Sequence, residues 1–236
     1  MESITTHSWR VLLAVAAFSV SLSSPVRAGN LIVNGSFENT GGTFVDEGGG
    51  VMNAALPVGS TLVPGWTVTN AQLGWISNAN IYGVATPFGS YFLDLTGNHD
   101  NSIYAGVTQT IVTTPNQAYT LTLSLGADQG QPLNSGTKSV SVTAGSSSTS
   151  FTFVPSGVGN QWKNFSFDFV AVATSTQITI VGTSSGAGYQ YLGLDNVSVA
   201  PQVPSLGLPG LAALAVVMAL VAAARLRRVS ARRVPC

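Results

Sequence analysis

Between its two ends this chain has one histidine, His99, and a set of separated acids that includes Glu38, Asp94, Asp128, Asp168 and Asp195. Two carboxylates flanking a glycosidic bond would suffice for glycoside hydrolysis. Asp168, however, falls on the polar side of an alternating stretch, where a carboxylate is ordinarily just solvated. Asp94, His99 and one of many serines could form a nucleophilic set. The run Asn98-His99-Asp100-Asn101 reads more simply as a polar turn, in which Asn and Asp bond their own backbone. The serines fall at turns and strand exteriors, and no Gly-x-Ser-x-Gly elbow is expected among them. A zinc site needs three or four ligands from His, Cys or acids, and one histidine is too few. These groups favour a non-catalytic chain.

Aromatic residues offer a different chemistry. Sugars present apolar faces that stack on Trp and Tyr, while polar side chains bond their hydroxyls. Trp75, Tyr82, Tyr189 and Tyr191 lie in Gly- and Asn-rich surroundings and are the expected ligand-binding residues. The competing expectation for each is a hydrophobic plug over an open end of the fold. Trp66 follows Pro64-Gly65, and Trp162 leads into Phe165, Phe167 and Phe169, so both are expected to pack inward.

The elements that must position these groups are strands. Residues 117–125 alternate strictly, with Tyr119, Leu121, Leu123 and Leu125 on one side and Thr and Ser on the other. A period of two marks a strand with one buried face. Stretches 164–169, 139–143, 177–181 and 194–199 repeat the pattern. Shorter candidates are 31–33, 66–68, 91–95, 107–112 and 150–154. Gly, Asn, Ser and Pro clusters separate them. The middle of the chain has no convincing helical periodicity. The expected fold is therefore all-β, an antiparallel β-sandwich of the jelly-roll type spanning 29–202. Residues 41–57 have the least pattern and read as a long surface loop.

Both ends read as sorting signals. Residues 1–28 carry Arg10, an apolar run and Val26-Arg27-Ala28, the form of a cleavable signal peptide. Residues 203–236 hold a nineteen-residue uncharged stretch, 206–224, followed by Arg225, Arg227, Arg228, Arg232 and Arg233. That length suits a transmembrane helix, and the arginines suit a cytoplasmic end. The chain is expected outside the cell and anchored in its envelope. What remains between the ends has two lysines against eight acids, a net charge of −6, and no cysteine. Nucleic acid is excluded as a partner, since it requires a basic surface. Stability must come from packing, with no disulfide to help.

Four segments in order carry a family resemblance. They are Asn30-Leu31-Ile32-Val33-Asn34-Gly35-Ser36-Phe37-Glu38, Pro64-Gly65-Trp66-Thr67-Val68, Gly89-Ser90-Tyr91-Phe92-Leu93-Asp94-Leu95, and Leu192-Gly193-Leu194-Asp195-Asn196-Val197-Ser198-Val199. Together they resemble DUF642-type exported domains, in particular the bacterial choice-of-anchor proteins with a galactose-binding-like jelly roll. The tail resembles the PEP-CTERM class processed by exosortase-like enzymes, mainly in Gram-negative bacteria, although Val203-Pro204-Ser205 lacks the acid of that motif. The resemblance implies a structural Ca²⁺ held by Glu38 and Asp195, with Asn196 standing where a second acid often follows. It also implies a surface module that binds extracellular or envelope polysaccharide, or a matrix component. A protein-interaction role without carbohydrate binding is the alternative.

Overall fold

In the computed structural model, residues 29–81, 83–97, 104–128, 136–184, 191–202 and 215–225 are described. The predicted signal peptide, Tyr82, His99, Tyr189 and residues 206–214 of the predicted anchor lie outside them. The described residues form two antiparallel sheets that close on one core. The strands are β1 (Val51–Leu56), β2 (Thr67–Thr69), β3 (Leu73–Ser77), β4 (Tyr91–Asp94), β5 (Gly106–Val112), β6 (Ala118–Asp128), β7 (Lys138–Ala144), β8 (Ser147–Phe153), β9 (Asn160–Val170), β10 (Ser175–Gly182) and β11 (Gly193–Pro201). One sheet has the order β1-β3-β4-β11-β6-β9, the other β2-β5-β10-β7-β8.

The alternating residues build the interface between the sheets. Leu121, Leu123 and Leu125 of β6 meet Val140 and Val142 of β7 and Ile178 and Ile180 of β10 in one buried cluster. Each such side chain contributes about 1.5–3 kcal/mol on leaving water. Sequence and structure therefore agree on an all-β sandwich.

Two strands were not expected. β1 lies within 41–57, the segment that reads as a loop, and pairs with β3 as an edge. β3 shows no alternation because Leu73, Gly74, Trp75 and Ile76 are all buried. Conversely, 31–33 is not a strand, although its backbone bonds β11: Leu31 N–H donates to the Val199 carbonyl at 2.8 Å. Asn34 and Phe37 both take positive φ, 53° and 58°, which interrupts extended pairing.

β11 pairs with β4 only through Gly193 and Leu194. Beyond that point segment 30–38, the strap, covers its exposed edge. Val197 N–H donates to the Gly35 carbonyl at 2.8 Å, and Asn30 Oδ1 accepts from Val199 N–H at 2.9 Å. The same segment reaches the second sheet, where Gln109 bonds both backbone groups of Val33 at 2.7 and 2.9 Å. The pairing of β11 with β6 shifts between Asp195 and Ser198, a β-bulge with Asn196 at φ 52°.

Residues 215–225 form a helix, α1, with Val216, Val217, Leu220 and Val221 exposed. Among the described residues no helix is long and apolar enough to cross a membrane. The rest of the predicted span, 206–214, lies outside them.

One inward position violates the core rule. Lys138, the first residue of β7, is fully buried, and its Nζ has no hydrogen-bond partner among the described residues. Burial pushes its ammonium down to about 8, with the Asp94 carboxylate acting the other way. A desolvated and unpartnered amine costs on the order of 1–3 kcal/mol. Lys138→Met keeps the side-chain length without the charge, so it should raise the thermal midpoint by several degrees. An unchanged or lower midpoint would show that the amine is compensated.

Candidate functional site

The outer face of the six-stranded sheet carries the site. On β9 the odd positions Phe165, Phe167 and Phe169 pack toward the core, so the even positions face outward. They pair across to β6 as Trp162 with Gly126, Asn164 with Ser124, Ser166 with Thr122, and Asp168 with Thr120. On the other side of β6, Gly193, Asp195 and Ser198 of β11 pair with Gly126, Ser124 and Thr122. This makes a ladder of hydroxyls and amides. A depression of about 300 Å³ opens on it, lined by the polar residues Thr122, Ser124, Asn164, Ser166 and Asn196 together with Leu123 and Phe165. Asn164 and Asn196 are exposed, and Ser124 Oγ donates to Asn164 Oδ1 at 2.7 Å.

An aromatic group closes the ladder at one end. Trp162 crosses Gly126 and Gly193, and any Cβ on those residues would come within 2.4 and 2.8 Å of the indole. Phe88 and Phe92 meet it edge-on, with centroids 5.9 and 5.7 Å away. Its Nε1 donates to the Ala85 carbonyl at 2.7 Å. Segment 83–88 is thereby stapled to β9, and Asn160 holds it as well, accepting from Ala85 N–H and donating to the Gly83 carbonyl, both at 2.8 Å. Trp162 remains half-buried, with part of its surface open beside the polar ladder.

Beneath Asn196 lies the acidic pair. Asp195 is fully buried and accepts from the Thr86 hydroxyl and, at 2.6 Å, from Asn196 N–H. Glu38 Oε1 accepts from Ser90 N–H at 2.8 Å and Tyr91 N–H at 2.7 Å. Burial raises the Asp195 carboxyl to about 7, against the two hydrogen bonds, and the nearby Glu38 charge raises it further. The strap joins the 86–91 segment through Glu38, and the same segment reaches the β11 bulge through Thr86 and Asp195. The donors are oxygens carrying up to two negative charges, which suits a hard cation such as Ca²⁺ and not a soft one. Among the described residues no group of three or more His, Cys, Asp or Glu could hold a metal, so backbone or hydroxyl oxygens would have to complete the shell.

The predicted stacking residues fare differently. Trp75 is not a surface residue: it is fully buried on the inner face of β3, against Phe44 and Tyr91. Its Nε1 has no hydrogen-bond partner. Tyr191 is buried at 8 % exposure, packed with Ile76, Val84 and Phe92 on the outer face. Neither can stack on a ligand without moving, because segment 83–88 and the sheets already cover them. Tyr82 and Tyr189 lie outside the described residues. Trp162, expected in the core, is instead partly open on the outer face. Its even position opposite the three phenylalanines is the signal that identifies it.

The catalytic candidates have structural roles. Asp94 is buried and its Oδ1 accepts from Thr96 N–H and Oγ1 at 3.0 and 2.7 Å. Asp168 is exposed and accepts from Thr120 Oγ1 at 2.7 Å. The spacing Gly182-Thr183-Ser184-Ser185-Gly186 does match Gly-x-Ser-x-Gly, a pattern at odds with the expectation from serine positions. Ser184 is nevertheless buried, and its Oγ accepts from Ser139 N–H at 2.8 Å, so the hydroxyl ties β7 to the end of β10.

The Asp195 environment fixes a pH dependence. Its folded carboxyl titrates near 7 and its unfolded one near 3.8. Between those values the folded chain holds a proton that the unfolded chain has lost, so stability falls as pH rises across the window and is flat above it. With divalent cations chelated, the midpoint at pH 7.5 should lie below that at pH 5. Asp195→Asn should abolish most of that slope. A midpoint rising from pH 5 to 7.5 in the unmutated chain would contradict the buried, cation-free carboxyl. In a second measurement, Gly126→Ala should displace the indole and change Trp fluorescence, with a loss of about 1–3 kcal/mol of stability.

Comparison with known proteins follows from this geometry. A carbohydrate-binding module, TmCBM61, solved with β-1,4-galactotriose, is similar at 19 % identity, covering 74 % of this chain and 100 % of its own, with a TM-score of 0.46. A CBM4 structure is similar at 14 % identity over 72 % of this chain and 99 % of its own, TM-score 0.37. The K1 cleaved adhesin domain of Lys-gingipain from Porphyromonas gingivalis W83 is similar at 12 % identity over 59 % of this chain and 92 % of its own, TM-score 0.44. Likenesses this distant do not bear on what this chain binds. No curated protein matches it. The family model "Protein of unknown function (DUF642)" matches residues 30–199, from the start of the strap into β11, and the chain belongs to that family.

Proposed function

We propose that this chain is an exported, non-catalytic β-sandwich that binds extracellular or envelope polysaccharide through the outer face of its six-stranded sheet. The observation that supports it is Trp162: an indole seated on two glycines, partly open, at the end of a ladder of neutral hydroxyls and amides. A pyranose offers an apolar face for the ring and hydroxyls for Asn164, Asn196 and Ser166. Carboxylates engaged in holding segments together are poorly placed to serve as acid and base, which supports binding over turnover. The leader at 1–28 and the apolar, arginine-ended tail support export and envelope anchoring, with an exosortase-like enzyme as the processing partner and the 206–224 helix as the membrane anchor. Mass spectrometry of the envelope-associated form would read both ends.

Glu38 and Asp195 are proposed to hold a structural Ca²⁺. The ion would neutralise the half-buried Glu38 and the buried Asp195 and tie the strap to the 86–91 segment. Millimolar Ca²⁺ should then raise the thermal midpoint at pH 7.5, and Glu38→Gln should remove most of the response. Equal midpoints with Ca²⁺ and with chelator would refute the site.

Pull-down of the chain on a panel of insoluble polysaccharides tests the main reading. Trp162→Phe and Asn164→Ala should each weaken retention on the polymer bound, by about threefold to tenfold, from loss of about 1 kcal/mol of stacking or hydrogen bonding. Binding to none of the panel would leave a protein-interaction role instead.

A further inference from the structure

We infer that the outer face selects uncharged glycans and rejects acidic ones, an inference that rests on the polysaccharide reading above. The charge on this face is of one sign. Asp168 stands exposed at one end of the ladder. Between the two sorting segments the sequence has only Lys138 and Lys163 as fixed cations. Lys138 is buried on the inner side of the other sheet. Lys163 sits between Trp162 and Asn164 on β9, so the two-residue period turns it to the opposite side. Its Nζ lies 5.3 Å from the centroid of the inward-packed Phe165 ring. The strand that carries the indole therefore has its single cation facing away from the ladder.

A uronate or sulfate group entering the depression would meet no opposing charge and would be repelled by Asp168 and by the net −6 of this region. A polyanion would also gain nothing from releasing its counterions, the term that basic surfaces use to bind such polymers. A neutral sugar meets the opposite situation. The lining groups are hydroxyls and amides, each both donor and acceptor, and they match hydroxyl or acetamido substituents without leaving a buried charge unpaired. Across Trp162 to Asp168 the ladder extends about 20 Å at the usual strand rise. That span suits a stretch of several sugar units more than a monosaccharide.

The test uses the full chain in native affinity electrophoresis with matched soluble polymers. Suitable pairs are hydroxyethyl cellulose against carboxymethyl cellulose, dextran against dextran sulfate, and methyl-esterified against de-esterified pectin. In any pair that retards the chain, the neutral member should bind at least about fivefold tighter, the worth of roughly 1 kcal/mol of unpaired repulsion. Asn164→Lys, at an exposed position, should narrow that gap or reverse it, while Lys163→Ala should leave it unchanged. Equal or tighter retardation by the acidic member would overturn the selection rule and leave carbohydrate binding standing. So would a collapse of binding in Lys163→Ala. Retardation by no polymer of either charge would remove both the rule and the reading beneath it.

Discussion

The strap at the N-terminus is the constraint on which the rest of the domain depends. β11 is central in its sheet, yet β4 covers only its first two residues. The remainder would present unpaired backbone groups inside the domain, each costing as much as a lost hydrogen bond. Segment 30–38 satisfies them, and it can do so only because Gly35 has no side chain: a Cβ there would lie 1.9 Å from the Val197 carbonyl oxygen. The strap then extends to Gln109 in the second sheet and to Glu38 at the loop before β4. One segment thus joins both sheets and the loop above the outer face. A chain without cysteines in this region has few other ways to fix those parts together.

The same economy shapes the outer face. Gly126 and Gly193 are neighbours across β6 and β11, and their missing side chains make the bed on which the indole lies. The indole in turn holds Ala85, and Thr86 next to it reaches Asp195. Order in segment 83–88 is therefore tied to the same residues that would contact a ligand. A face built this way is set before a ligand arrives, which lowers the ordering cost of binding.

Alternation made most of the strands readable. β6, β7, β9, β10 and β11 each have one wet and one dry side, so their period of two survives in the sequence. β3 does not, because segment 83–88 and Tyr191 bury its outer side as the core buries its inner side. Trp75 was misread for that reason: its Gly and Asn neighbours mark turns on either flank, while the residue itself sits under Phe44. β1 is a short edge strand with an irregular register, and six residues of that kind carry no pattern. Trp162 was legible in principle, since the parity that sends Phe165 inward sends Trp162 outward. The effect of the Glu38 charge on Asp195 was not. Nothing local to either residue records a neighbour more than 150 positions away in sequence.

Burial explains why these acids resist a catalytic reading. A general acid and base must face a shared substrate with free lone pairs or protons. Here Asp94 holds the turn after β4 through Thr96, Asp195 holds Thr86, and Glu38 caps two amides ahead of β4. Freeing any one of them would release a segment that packs the sheet. The burial of Asp94 and Asp195 follows from joining segments that the sheets alone leave apart, and the raised carboxyl of Asp195 reflects desolvation there. A perturbed carboxyl can mark an active site, but a structural junction perturbs it by the same physics. What distinguishes the two is open space beside the group, and on this sheet the open space lies over neutral side chains.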